Sequence, residues 1–181
     1  MVYVFLANGF EEIEALATVD ILRRAEVDVT TVGIGSKVVS GAHDVKVVAD
    51  ITDAEFVYDS NIQMLILPGG MPGTLVLEKS IVVSSALDKA FADNVYIAAI
   101  CAAPSILGHK GYLRGKKACC FPGFEEQLIQ AVVSNDRVCV DGNIITSRGA
   151  GTVFDFAQVL VEILVNKDEA DRILSSMICK K

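Results

Sequence analysis

Tyr96-Ile97-Ala98-Ala99-Ile100-Cys101-Ala102-Ala103-Pro104 is the stretch that decides the architecture. Tyr96–Ile100 reads as a strand, and the chain runs on through Cys101, with no polar loop, into a short helix reaching His109. A wholly apolar strand of this kind is covered on both faces, as in parallel sheets. The small residues two before and two after Cys101 permit a sharp strand-to-helix turn, the device of the Gly-x-Ser-x-Gly nucleophile elbow.

The same alternation extends in both directions. Upstream, Val2–Leu6 is an apolar run ended by Asn8-Gly9, Glu11 to about Ala25 reads as a helix, and Val27–Ile34 as a second strand. Val38–Ser40 and Val45–Val48 form a small hairpin through Gly41-Ala42-His43. Gln63–Leu67 is a strand capped by Pro68-Gly69-Gly70, and Ser80–Ala92 is a helix. Downstream, Lys117–Cys120 and Val138–Val140 are strands, and Asp141-Gly142-Asn143 turns tightly into Ile144–Ser147. Helices over Thr152–Val165 and Asp168–Ile178 close the chain. Strand–helix alternation predicts an α/β fold, a mostly parallel sheet wrapped by helices with right-handed crossovers. Sites in such sheets lie beyond the carboxyl ends of the strands. The candidate segments are therefore Asn8–Glu14, Pro68–Gly73, Cys101–Pro104 and Arg148–Thr152. With no linker, repeat or low-complexity stretch, residues 1–181 are expected to form one domain.

Composition supports the buried sheet. Hydrophobic residues make up 52% of the 181 positions, and the mean hydropathy is +0.46, yet no apolar run approaches the roughly 18 residues that span a bilayer. The formal net charge of −7 argues against nucleic acid, since neither Lys116-Lys117 nor Lys180-Lys181 supplies a basic surface. The N-terminus lacks a signal peptide's basic region and meets Glu11 and Glu12 early, which predicts a cytoplasmic location. None of the five cysteines lies in a Cys-x-x-Cys or Cys/His cluster, so free thiols are expected, with no metal and no cofactor.

At the start of a helix, amide hydrogens and the positive helix end favour a thiolate at Cys101. The N–H of Ala102, with that of Gly69 or Gly70, can form an oxyanion hole. The competing reading is a buried structural cysteine. Glu14 shares a helix face with Ala17, Ile21 and Leu22, and a carboxyl on an apolar face has a raised pKa. It can then hold a proton and donate a hydrogen bond to a thiolate or its oxidised form. Alternatively Glu14, like Glu11 and Glu12, simply complements the helix N-terminus. Gly149-Ala150-Gly151-Thr152 half-matches a dinucleotide fingerprint, but Phe154 stands where the third small residue is needed. Cys119, Cys120, Cys139 and Cys179 read as packing residues, with Cys119 and Cys120 on opposite faces of one strand.

The segments Asn8-Gly9-Phe10-Glu11-Glu12-Ile13-Glu14, Leu67-Pro68-Gly69-Gly70, Ala98–Pro104 and Thr146-Ser147-Arg148-Gly149-Ala150-Gly151-Thr152 together resemble the ThiJ/PfpI family, in the family's order and over essentially the whole chain. The resemblance implies a flavodoxin-like three-layer sandwich, usually homodimeric. It implies that Cys101 is an oxidation-prone thiol and Glu14 its hydrogen-bonding acid. Gly69, Gly70 and Ala102 match positions whose amides line the pocket. Members of the family are linked to glyoxalase III or deglycase activity on dicarbonyls such as methylglyoxal or their protein adducts. Others are linked to redox sensing, chaperone activity, thiazole monophosphate biosynthesis or proteolysis.

Two departures narrow the choice. Ala102 stands where the protease-like branch has a histidine, which leaves the thiol without the neighbouring base a protease needs. Phe121 stands where the deglycase branch often has one, although a bacterial subset shares the phenylalanine. His43 matches a position that is often arginine and lies close to the partner subunit's pocket; it either contributes across a dimer or is an ordinary turn histidine. His109 reads as a surface cation at a helix C-terminus. Glu14 is then the one strong acid/base candidate, and three roles compete: a dicarbonyl-converting enzyme, a redox sensor and a chaperone.

Overall fold

A computed structural model describes residues 1–179; the Lys180-Lys181 pair weighed above lies outside them. The elements run β1 (Val2–Leu6), α1 (Glu12–Arg24), β2 (Val29–Gly33), β3 (Val38–Ser40), β4 (Lys46–Val48), β5 (Ile51–Thr52), β6 (Met64–Leu67), α2 (Gly73–Lys79), α3 (Ile81–Ala92) and β7 (Tyr96–Ile100). They continue with α4 (Pro104–His109), β8 (Lys117–Ala118), β9 (Val132–Val133), β10 (Val138–Asp141), β11 (Ile144–Ser147), α5 (Val153–Leu164) and α6 (Lys167–Ser176). Seven strands form the central sheet in the order β10-β11-β7-β6-β1-β2-β5. Only the β10–β11 pair at one edge is antiparallel.

Alternating strand residues feed two cores, because successive side chains point to opposite faces. Val2, Val4, Leu6, Met64, Ile66, Ala98 and Ile100 join Ile21, Leu22, Phe156 and Leu160 on one side. Tyr3, Phe5, Leu65, Leu67, Ile97 and Ala99 join Leu77, Leu87, Ile106 and Leu107 on the other. The result is the three-layer α/β sandwich, and no described helix is long and apolar enough to cross a membrane.

Several expected boundaries move, each for a local reason. Val27 belongs to the exit of α1: Glu26 turns with φ 55, and the Val27 N–H donates to the Leu22 carbonyl at 3.1 Å. The strand expected over Lys117–Cys120 stops at Ala118 and pairs with β9 outside the main sheet. Cys119 leaves the ladder because its N–H donates to Oγ1 of Thr146 at 3.0 Å. Helix α2 and the short β5 carried too little periodic signal to be read from the sequence. The hairpin does form, with Val39 opposite Val47. The four segments singled out above follow β1, β6, β7 and β11 and so meet at one end of the sheet.

Candidate active site

Cys101 is the first residue beyond β7, and its φ of 66 puts a non-glycine residue in the left-handed region. That conformation costs roughly 1–2 kcal/mol. It is held from both sides. The Cys101 N–H donates to the Ser147 carbonyl at 3.0 Å, continuing the β7–β11 pairing, and the Cys101 carbonyl accepts from the Phe121 N–H at 2.8 Å. Ala98, Ala99, Ala102 and Ala103 are buried beside the turn, where larger side chains would crowd it.

Glu14 reaches the same place from α1 and is 1% exposed. Its Oε2 accepts the Gly69 N–H at 2.8 Å. A Cβ on Gly69 would lie 2.5 Å from the Cys101 Cβ and 2.7 Å from Glu14 Oε2, so only glycine lets the three residues converge. Oε1 is buried and has no well-formed hydrogen bond among the described residues. It lies 3.8 Å from where a Cβ on Gly149 would project.

Burial pushes the Glu14 carboxyl up to about 7, against the opposing influence of the Cys101 thiol and the Gly69 N–H. Burial also pushes the Cys101 thiol up, to about 12, with the Glu14 charge adding to it. The Gly70 and Ala102 N–H groups act in the opposite direction. This corrects the expectation of a thiolate stabilised by a helix end. Helix α4 has six residues and starts only at Pro104, so its dipole is weak at Cys101, and desolvation prevails. Each group acts on the other's pKa. A thiolate beside a Glu14 carboxylate is disfavoured, whereas a protonated Glu14 removes the repulsion and becomes a donor to it.

The glycine amides divide their work. Gly69, expected as an oxyanion donor, is already committed to Glu14. The Gly70 and Ala102 N–H groups are the amides that act to lower the Cys101 pKa.

His43 is not brought to Cys101 within its own chain. Its ring is exposed, with Nδ1 2.9 Å from Glu12 Oε2 and 3.7 Å from Glu11 Oε2. The hydrogen bond to Glu12 raises its pKa. Glu12 does more than complement the helix end, since its Oε1 accepts the His43 N–H at 2.7 Å and anchors the β3–β4 turn to α1. These three side chains bring ligand atoms within 4.8 Å of one another, with His43 hydrogen-bonded to Glu12 and ion-paired with Glu11. His109 lies far along α4, bound to Glu78 at 2.5 Å and Gln127 at 2.7 Å. Gly149 lies in the Arg148–Thr152 segment that the sequence set at the site, and its absent side chain leaves room for the Phe121 ring at 3.2 Å. The Gly-x-Gly pattern after a strand was its available signal.

Comparison with known proteins identifies the family and the fold. Residues 1–163 match the DJ-1/PfpI family. The chain is 38% identical to Protein DJ-1 homolog A of Arabidopsis thaliana over 99% of its own length, and it spans 46% of that longer relative. It is 35% identical to Protein dj-1beta of Drosophila melanogaster, covering 97% of this chain and 95% of the relative. The crystal structure of that fly protein superposes with a TM-score of 0.92 over 98% of this chain and 96% of the other, at 34% identity. A protein of Caenorhabditis elegans named glutathione-independent glyoxalase DJR-1.2 is 28% identical, over 94% of this chain and 91% of its own. A match through nine-tenths of the chain, shared with a full-length relative, places this protein in the DJ-1/PfpI family.

Proposed function

We propose that the chain is a cysteine-dependent, cofactor-free enzyme of glyoxalase type, converting small dicarbonyls such as methylglyoxal to 2-hydroxy acids. The observation that carries this reading is the buried Glu14 carboxyl, raised to about 7, held by Gly69 beside the Cys101 elbow. A carboxyl titrating near neutrality both gives and takes protons at working pH. The similarity to a worm protein named as a glyoxalase supports the same chemistry.

The Cys101 sulfur attacks the aldehyde carbon of methylglyoxal, and the carbonyl oxygen takes a proton to give a hemithioacetal. Glu14 removes the hydrogen from that carbon and returns a proton to the neighbouring ketone carbon through an enediol. The first carbon is oxidised and the second reduced, so no external oxidant is needed. The resulting thioester is cleaved by water, releasing lactate and the thiol. In this reading the amides of Gly70 and Ala102 stabilise the developing oxygen charge. A redox reading uses the same donor: two equivalents of hydroperoxide take Cys101 to a sulfinic acid with release of two waters or alcohols, and Glu14 then bonds the product.

The test is lactate formation from methylglyoxal without glutathione. The wild-type protein is expected to form it and Cys101→Ser is not. Retention of the rate by that variant would overturn the mechanism.

A further inference from the structure

Beside the Cys101 site lies a cleft of about 310 Å³. It is lined by Phe121, Arg137, Arg148, Gly149 and the turn that follows. Two of these residues join it to the thiol–acid pair. The Phe121 N–H holds the Cys101 carbonyl, and the space a Gly149 side chain would fill borders both the Phe121 ring, at 3.2 Å, and Glu14 Oε1, at 3.8 Å.

The two arginines of the cleft differ. Arg137 is committed, with Nη2 2.7 Å from Asp155 and 2.7 Å from the Gly151 carbonyl. Arg148 is half-buried, and Nη1 makes a single long contact of 3.3 Å with the Asn135 carbonyl. No carboxylate lies within 4.0 Å of it among the described residues. A guanidinium has five donors in a fork that fits an oxyanion, and partial burial without a counter-ion is costly unless a ligand supplies one. Arg148 is also the first residue past β11, at the end of the sheet where ligands bind. The adjacent turn is kept rigid, with Thr152 Oγ1 bonded to Ser147 Oγ at 2.7 Å and accepting the Gly149 N–H at 3.1 Å.

We propose that Arg148 is an anion-binding arm of the Cys101 pocket, and that the dicarbonyl processed there carries a terminal carboxylate or phosphate. The substrate class rests on the glyoxalase-type reading above; the anion site does not. The anionic end lies in the Arg148 cleft and the reacting carbonyl at Cys101, with Phe121 lining the cleft beside them.

The experiment uses two alkylating reagents of the same shape, 3-bromopyruvate with its carboxylate and neutral bromoacetone. In each, the Cys101 sulfur displaces bromide and forms a thioether. Peptide mass spectrometry gives the rate at Cys101 in wild type, Arg148→Gln and Arg148→Lys. The bromopyruvate-to-bromoacetone ratio is expected to fall about tenfold in Arg148→Gln, the size of one charge-assisted contact, and to be largely kept in Arg148→Lys. Inorganic phosphate and malonate, added as competitors, separate a phosphate from a carboxylate preference. An unchanged ratio in Arg148→Gln, an equal fall for both reagents, or protection by neither competitor would overturn the proposal. Such a result leaves the lactate assay standing, and failure of the lactate assay leaves the ratio to be read by itself.

Discussion

Gly69 meets Glu14 in two ways: its N–H donates to Oε2 at 2.8 Å, and its missing side chain is the space in which that oxygen and the Cys101 Cβ come together. One backbone position therefore orients the acid and sets its approach to the thiol. It also leaves the other carboxyl oxygen, Oε1, buried and without a formed partner. An unpaired buried oxygen is costly in a structural role and useful in a proton-transfer one.

Gly69→Ala is accordingly expected to destabilise the fold and disable the site together. The added Cβ would press on the Cys101 Cβ at 2.5 Å and the Glu14 Oε2 at 2.7 Å, and overpacking of this kind costs about 1–3 kcal/mol. Urea unfolding should show a lower midpoint at an unchanged slope, with slowed labelling of Cys101. An unaltered midpoint would mean that the three residues do not pack as described.

Stability should carry a pH signature of Glu14. Its folded pKa is raised, from 4.5 to about 7, so the folded state holds the proton more tightly than the unfolded chain. The resulting stability is complete below 4.5 and is lost as pH rises through about 7. Relative to Glu14→Gln, the wild type should lose on the order of 3 kcal/mol across that window. Parallel denaturation of the two proteins at acidic and mildly alkaline pH measures the difference; pH-independent offsets would contradict the buried carboxyl.

Thiol reactivity separates a hydrogen-bond donor from mere burial. Glu14→Gln keeps an N–H donor beside the sulfur without the carboxylate charge, whereas Glu14→Leu keeps the burial alone. Iodoacetamide labelling of Cys101 followed against pH should therefore give a lower midpoint for Gln than for Leu. Coincident profiles would show that no donor at position 14 reaches the sulfur.

The left-handed backbone at Cys101 gives a fourth expectation. Cys101→Gly and Cys101→Ala both remove the thiol, but only glycine adopts that φ freely. After allowing for glycine's more disordered unfolded chain, the glycine variant should be the more stable by roughly 0.5–1 kcal/mol. Thermal unfolding of the pair decides it, and a more stable alanine variant would contradict the strained turn.

Much of the molecule was legible in the sequence, because its signals are local. The apolar run Tyr96–Ile100, the small residues around Cys101 and the Pro68-Gly69-Gly70 stop are each read within a few positions. Together they specify a parallel sheet with a cysteine at a strand-to-helix turn. The helical spacing of Glu14 with Ile21 and Leu22 likewise turns its carboxyl toward the core. The motifs were sufficient to indicate the family.

Tertiary structure alone decided what those residues do to one another. Glu14 and Gly69 are 55 positions apart, and only their packing shows that the Gly69 amide serves the acid. Desolvation at Cys101 outweighs a short helix's dipole for the same reason: it depends on everything packed around the atom. Arg148 makes the point from the other side, since being left without a counter-ion among the described residues is a property of the space around it. Periodicity is written along the chain, whereas proximity and burial arise only when distant segments close over the same few atoms.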